Sequence, residues 1–409
     1  MRVLLETTGL ATGGEAFGRD DSGRVVFVAG ALAGEQVVVE ILEEKKRFAR
    51  GRVIEVVAAS PERIAPTCAE VANGCGGCDL AHSTLGAQRD AKVSMIRDAA
   101  TRIGRLDAIP SVNVVELATV GFRTTLRAGV AGGRAGLRRR GSNDLVEVAA
   151  CEVAHPLVEE LLVEGRFGDA SEVMIRVGSR TGERMVLTDG DPSTVSVPDD
   201  VSVVSRDDLL VGANDGRQDP GGVIHEMVAG SRFRISPRSF FQTRPDGAEA
   251  LVEAVRRGID TAGGSSPRRL VDLCCGVGLF AATVEADRVV AVESNRSSVA
   301  DARVNLAGLG QRAKLVRSTF ERWRPDPADV VVADPSRTGL GAIGVSKVSA
   351  TGAEVVVLVS CDVAAMGRDV GLFADQGYAL VSVEMIDLFP NTSHAEVVST
   401  LVPVAGAPR

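Results

Sequence analysis

Three groups of residues in this 409-residue chain have types and spacings that can do chemistry. The first is Leu270 to Phe280, LVDLCCGVGLF, an apolar run that closes on Gly276 and Gly278. Strand, glycine turn and helix form the opening unit of a nucleotide-binding α/β domain, and glycines without a Cβ let the backbone approach a ligand closely. Glu293 ends a second Val-rich strand, where a carboxylate can take both hydroxyls of a ribose. The order Asp272, read as an acidic turn residue, then glycines, then Glu293 fits an S-adenosylmethionine site better than a dinucleotide fold, whose G-x-G-x-x-G is not met.

The second group continues that pattern. Asp334 ends the apolar run VVVAD, and Cys361 stands between VVVLVS and a helical segment. Ligand chemistry in open α/β sheets gathers at the carboxyl ends of strands, so Glu293, Asp334 and Cys361 are expected to face one crevice. The third group is Cys68-x6-Cys75-x2-Cys78, with a distant fourth candidate at Cys151. Four thiolates are what a [4Fe-4S] cluster requires, and Gly74, Gly76 and Gly77 would let the loop wrap it. Zinc also takes four thiolates but more often from two close pairs, so a cluster is expected and zinc is the alternative.

These groups need scaffolds. A chain of this length is too long for one ordinary core, so two or three domains are expected. Residues 1–59 read as a small β-barrel, with strands Val25 to Gly30, Glu35 to Glu44 and Ala49 to Ala58 between glycine turns. Its basic loop, Lys45, Lys46, Arg47 and Phe48, suits a phosphate backbone and a stacked base, although a solvated hairpin tip is an equal reading. Residues 60–235 read as an α+β central domain holding the cysteines, with an amphipathic helix between about Ala81 and Gly104. It also contains Arg123, Arg127, Arg134, Arg138, Arg139 and Arg140 before any acid appears, a ribbon suited to RNA. EVMIRVGSRTGERMVLTDG reads as a hairpin and VSVVSRDDLLVG as another strand pair. Residues 236–409 carry the Rossmann-like α/β domain.

The formal net charge of −8 argues against a protein that is basic all over, so contact with nucleic acid must come from local patches. No apolar run approaches the ~18 residues of a membrane span, and MRVLLETTG has no signal-peptide pattern. A cytoplasmic monomer without membrane contact is expected, in which seven cysteines are metal-binding or catalytic rather than disulfide-bonded.

Two resemblances extend this reading. GLATGGEAFGR, RVVFVAGALAGEQVVVEI and KKRFARGRVIEV resemble the TRAM domain, an OB-like RNA-binding barrel. ISPRSFFQ, DLCCGVGLF, VADPSRTGL, VSCD and DLFPNTSHAEVVSTL resemble, in order, the motifs of the RNA 5-methyluridine methyltransferase family. The likeness covers essentially the whole chain. It implies an S-adenosylmethionine-dependent enzyme acting on a ribosomal or transfer RNA, ribosomal favoured. It further implies Cys361 as nucleophile, Glu396 as base, and cofactor contacts at Gln242, Cys274, Leu279, Glu293 and Asp334 beside the turn of Gly276 and Gly278. Ser336, Asp362, Cys274 and Arg244 depart from the family pattern, where Pro, Asn, an aromatic and Asn are usual. Competing readings are an amino-group methyltransferase and a non-catalytic iron-sulfur RNA-binding protein. Arg337, where amino-group enzymes carry an aromatic, speaks against the first, and the presence of both Cys361 and Glu396 against the second.

Overall fold

The computed structural model describes residues 1–206, 222–261 and 267–404. The second strand expected within VSVVSRDDLLVG lies outside them. The N-terminal residues close a five-stranded barrel from Arg2–Leu10, Ala16–Arg19, Val25–Ala29, Phe48–Ala58 and Gln36–Glu44, joined in that order. Alternation puts Leu5, Val26, Val28, Val37, Val39 and Ala49 inside. The first two strands are not legible as strands in the sequence. Closure depends on close backbone crossings: a Cβ on Gly18 would strike the Glu6 carbonyl, and one on Gly51 the Glu40 carbonyl.

A six-stranded sheet follows, ordered Val201–Ser205, Arg184–Thr188, Glu172–Val177, Thr125–Ala131, Arg134–Arg138 and Leu145–Glu147. The antiparallel pair Glu172–Val177 and Arg184–Thr188 is the hairpin expected from the sequence. Helix Pro156–Glu164 buries Val158, Leu161 and Leu162 in this sheet's core, which also takes Cys151.

The C-terminal sheet has eight strands, in the order Ala313–Arg317, Arg288–Glu293, Arg269–Leu273, Val330–Ala333, Val355–Ser360, Glu396–Pro403, Tyr378–Ile386 and Val112–Val115. The first five run parallel, whereas Glu396–Pro403 runs antiparallel to Val355–Ser360. Val330–Ala333 and Val355–Ser360 are buried along their whole length, as continuous Val-rich runs covered on both faces must be. The edge strand Val112–Val115 comes from the segment expected in the central domain. Helix Leu85–Asp98 with its π-helical extension Ala99–Ile103 likewise packs on this body, against helix Val363–Asp375. Gly367 and Gly104 make that crossing possible, since a Cβ on Gly367 would meet the Ala99 carbonyl oxygen at 2.5 Å.

Candidate active site

The glycine turn is tied to the second strand by Glu293. Its carboxylate accepts from the backbone N–H groups of Gly276 (3.0 Å), Ser294 (2.7 Å) and Asn295 (2.6 Å). Gly276 and Gly278 are left-handed, with φ of 55° and 94°, and Cys274 adopts the same region at 65°, which costs a residue with a Cβ. A Cβ on Gly276 would meet nothing within 4 Å, so open space lies beside the turn. Asp272 is no turn residue, because it sits inside strand Arg269–Leu273, fully buried. Its Oδ2 accepts from Ala281 N–H at 2.8 Å, while Oδ1 has no partner, and burial pushes its pKa up to about 8. Open space beside a backbone turn, the acceptor carboxylate of Glu293 and apolar Leu279 fit S-adenosylmethionine, with its ribose hydroxyls as donors.

Gln242 is buried in the segment between strand Ser231–Ile235 and helix Pro245–Thr261. Asp301 anchors that segment by accepting from Ser236 N–H (2.7 Å) and from the hydroxyls of Ser236 (2.7 Å) and Ser239 (2.6 Å). Buried Arg176 donates to the Ser239 carbonyl at 2.8 Å. Two residues before Gln242, Phe240 is 63% exposed while its neighbour Phe241 is buried. Sequence reasoning passes over Phe240, because two adjacent rings in SFFQ do not say which one is exposed. Arg244 is buried over the Phe122 ring, 4.2 Å from its centroid, and pairs with Asp246 at 2.6 Å. It therefore locks loops together.

Glu293 ends its strand, Asp334 follows Val330–Ala333, Cys361 follows Val355–Ser360, and Glu396 begins the antiparallel strand beside it. The structure thus brings Cys361, Asp334 and Glu396 close enough to perturb one another. Burial holds the Glu396 carboxyl well above its usual range, and the Asp334 charge adds to this. Burial takes Asp334 up to about 7. Cys361 is pushed up to about 12, chiefly by burial, then by Glu396 and Asp334, with Arg337 acting in the opposite direction. A helix following the cysteine would ordinarily be expected to lower its thiol pKa. Burial and the two neighbouring carboxyls outweigh that helix here. The helix, Val363–Asp375, is itself capped by Asp362, whose side chain accepts from Ala365 N–H at 2.7 Å.

Cys68, Cys75, Cys78 and Cys151 all line one cavity of about 570 Å³. Burial first, and then the neighbouring Cys151, Cys75, Cys68 and Asp79, together raise the Cys78 thiol to about 12. Among the described residues, no group of three or more His, Cys, Asp or Glu side chains could hold a metal ion as it stands. Gly76 serves a neighbour rather than a ligand: its N–H donates to the Arg138 carbonyl at 2.9 Å, and a Cβ there would strike the Arg140 backbone.

The arginine ribbon is less naked than its sequence implies. Arg127 and Arg138 pair with Glu172 at 3.5 and 3.7 Å, and Arg134 pairs with Glu147, so neighbouring strands supply the acids. Arg123 is not outward-facing: it lines the cysteine cavity, and burial lowers its pKa. Arg139 donates to the Asn73 carbonyl at 3.0 Å, and Arg140 to those of Asp79 and Gly14, both at 3.3 Å. In the barrel loop Lys45 pairs with Glu43 at 2.9 Å, whereas Lys46 and Arg47 are exposed. Phe48 sits edge-on to Phe27, with the Arg50 guanidinium over both rings.

The parallel strands, the antiparallel closing pair and the glycine turn facing Glu293 define an S-adenosylmethionine-type methyltransferase body. Residues 1–54 match the TRAM domain family. Along nearly its full length the chain is 33% identical to an RNA methyltransferase of Streptomyces avermitilis, covering 97% of each chain. It is 31% identical to the 23S rRNA (uracil(1939)-C(5))-methyltransferase of Edwardsiella ictaluri, covering 97% of this chain and 94% of that one. The chain belongs to this RNA methyltransferase family. Its fold matches the crystal structure of the Pyrococcus abyssi tRNA (uracil-54, C5)-methyltransferase in complex with S-adenosyl-L-homocysteine, with a TM-score of 0.72 at 22% identity over 98% of this chain and 99% of that one.

Proposed function

We propose that this protein methylates carbon 5 of a uridine in RNA, using S-adenosylmethionine, with ribosomal RNA as substrate. The observation that carries the proposal is the grouping of Cys361, Asp334 and Glu396 at adjacent strand ends beside an S-adenosylmethionine-type turn. Ribosomal RNA is favoured because the relative named for it aligns at 31% identity over nearly the whole chain, whereas the likeness to the transfer-RNA enzyme, at 22%, speaks to fold alone.

Carbon 5 of uracil is a weak nucleophile, and the chemistry requires a thiolate to add first to carbon 6. Cys361 is that nucleophile. Its proton passes to solvent water before attack, and Arg337 is the cation whose charge favours the loss. The new S–C6 bond pushes the double-bond electrons toward carbon 5 and the carbonyl oxygen at carbon 4. Gln242, Cys274, Leu279 and Glu293 would hold S-adenosylmethionine, which supplies a methyl group on a sulfonium to the activated carbon. Glu396, which burial holds toward its protonated form, must first ionise. As carboxylate it then removes the carbon 5 proton, the double bond reforms and the Cys361 thiolate departs. The target base must leave any stack to reach a crevice this enclosed, and exposed Phe240 offers a ring on which it can stack.

The four cysteines are the ligand set we assign to a [4Fe-4S] cluster. Support comes from the one cavity that all four cysteines line. Bound there, a cluster supplies a staple between the loop of Cys68 to Cys78 and the distant Cys151. For RNA, Lys46, Arg47 and Phe48 are the favoured barrel contacts, with Arg127 and Arg138 as partly neutralised ones. Mass spectrometry of nucleosides from ribosomal RNA incubated with anaerobically purified protein and S-adenosylmethionine is the test. New 5-methyluridine is expected, and a different methylated nucleoside would move the protein to another reaction class.

A further inference from the structure

The segment directly after the cysteine loop grips the loop that leads into Glu396. Asp79, the residue after Cys78, accepts from Ser393 N–H through Oδ1 at 3.1 Å. Leu80 N–H donates to the Asn391 carbonyl at 2.9 Å. Gln88 reads Asn391 twice, its Oε1 accepting from the Asn391 N–H at 2.8 Å and its Nε2 donating to Oδ1 at 3.2 Å. Lys92, fully buried, donates to Asp387 Oδ1 at 2.7 Å and to the Phe389 carbonyl at 3.1 Å. Asn391 is held left-handed at φ 63° and also lines the cysteine cavity.

A buried lysine is costly unless it is paired, and a carboxylate and a backbone carbonyl on one loop make that loop's path the condition of its burial. Residues 387, 389, 391 and 393 are therefore each fixed from the same outside segment, while Glu396 begins its strand three residues beyond the last of them. An error of about 1 Å in placing a catalytic group can cost on the order of 100-fold in rate.

We propose that Asp79, Gln88 and Lys92 are positioning residues that set the place of Glu396, so that the cysteine site and the methyl-transfer crevice form one mechanical unit. This rests on the reading of Glu396 as the base. Weakening the latch slows proton removal from carbon 5, the step after methyl transfer, while Cys361 still adds. The S–C6 bond then persists, and a methylated protein–RNA adduct accumulates.

The experiment compares wild type, Asp79→Ala, Asp79→Asn and Glu396→Gln as full-length, cluster-reconstituted protein with a uridine-containing ribosomal RNA fragment. Readouts are turnover, KM for RNA, S-adenosylhomocysteine affinity and adduct on a denaturing gel. Asp79→Ala is expected to lower kcat by about 10-fold or more and to leave KM and S-adenosylhomocysteine affinity within about 2-fold, with adduct visible. Asp79→Asn, which keeps an oxygen facing Ser393 N–H, is expected to restore turnover. Adduct in Glu396→Gln but none in Asp79→Ala overturns the latch. Equal loss in Asp79→Asn and Asp79→Ala also overturns it. Absence of adduct in Glu396→Gln itself overturns the assignment of the base, and with it the latch.

Discussion

The methyl-transfer crevice and the cysteine cavity gather reactive groups by different means. The crevice takes single residues from the ends of neighbouring strands, Glu293, Asp334, Cys361 and Glu396, on a sheet whose Val-rich core leaves them little freedom. The cavity takes its thiols from one glycine-rich loop and from Cys151, just before helix Pro156–Glu164. Strand ends preorganise chemistry through the fold itself, whereas loops need partners, and here Arg138, Arg139 and Arg140 supply them. Buried carboxyls also crowd the crevice, so its electrostatics oppose ionisation of the Cys361 thiol.

The largest effect that would sharpen this contrast is expected from Cys361→Ala. Removing the proposed nucleophile should lower 5-methyluridine formation by about 10⁴-fold or more, measured by nucleoside mass spectrometry. S-adenosylhomocysteine affinity, which we assign to the turn around Gly276, should stay within about 2-fold. The counterpart in the cavity, Cys151→Ser, should abolish iron retention, read as iron per chain after anaerobic reconstitution, again without a change in S-adenosylhomocysteine affinity. Loss of that affinity would break the distinction between the two regions.

The next effect concerns charge within the crevice. With the Cys361 thiol at about 12, the thiolate fraction is small at neutral pH and rises about tenfold for each pH unit until that value is approached. If the free enzyme reacts through this thiolate, kcat/KM rises with pH between 7 and 9. Arg337 lowers the thiol pKa, so Arg337→Gln should reduce kcat/KM at pH 7.5 while leaving its rise with pH in place. A profile flat from pH 7 to 9 in the wild type would mean that substrate binding resets the thiol first.

Asp272 permits a stability test of the same burial. Its folded-state pKa of about 8 lies above the ordinary carboxyl value, so the folded chain binds the extra proton. Its contribution is fully present below about pH 4 and is lost as pH rises toward 8. Asp272→Asn keeps an acceptor for Ala281 N–H. It should make the melting temperature less dependent on pH across that window, and an unchanged slope would show that Asp272 does not titrate there.

Much of this contrast is legible in the amino-acid sequence, for a physical reason. Buried parallel strands read as unbroken apolar runs, and a polar residue that ends such a run has only the crevice to enter, which exposes Glu293, Asp334 and Cys361 to view. What stays hidden depends on partners distant in sequence. The arginines at 127, 134 and 138 look uncompensated because their acids, Glu147 and Glu172, lie on other strands. Strand Val112–Val115 reads as part of the central domain because nothing in VNVV says which sheet it will extend. The signal for the latch is present but faint: Gln88 and Lys92 stand four apart on the helix face that also buries Met95 and Ile96, a place where polar residues need fixed partners.

The smallest effect compares two basic surfaces. Lys46 and Arg47 are exposed on the barrel loop, whereas Arg127 and Arg138 already share Glu172. A phosphate contact made by an arginine that keeps a carboxylate partner releases less counterion than one made by an unshared cation. The double variant Lys46→Ala/Arg47→Ala should therefore weaken RNA binding about 5-fold and reduce the slope of log K against log salt by about one to two. Arg127→Ala/Arg138→Ala should weaken it only about 2-fold. Titrations at several salt concentrations decide between them. If the arginine pair has the larger slope change, the central ribbon tracks the RNA backbone and Glu172 must release its partners on binding.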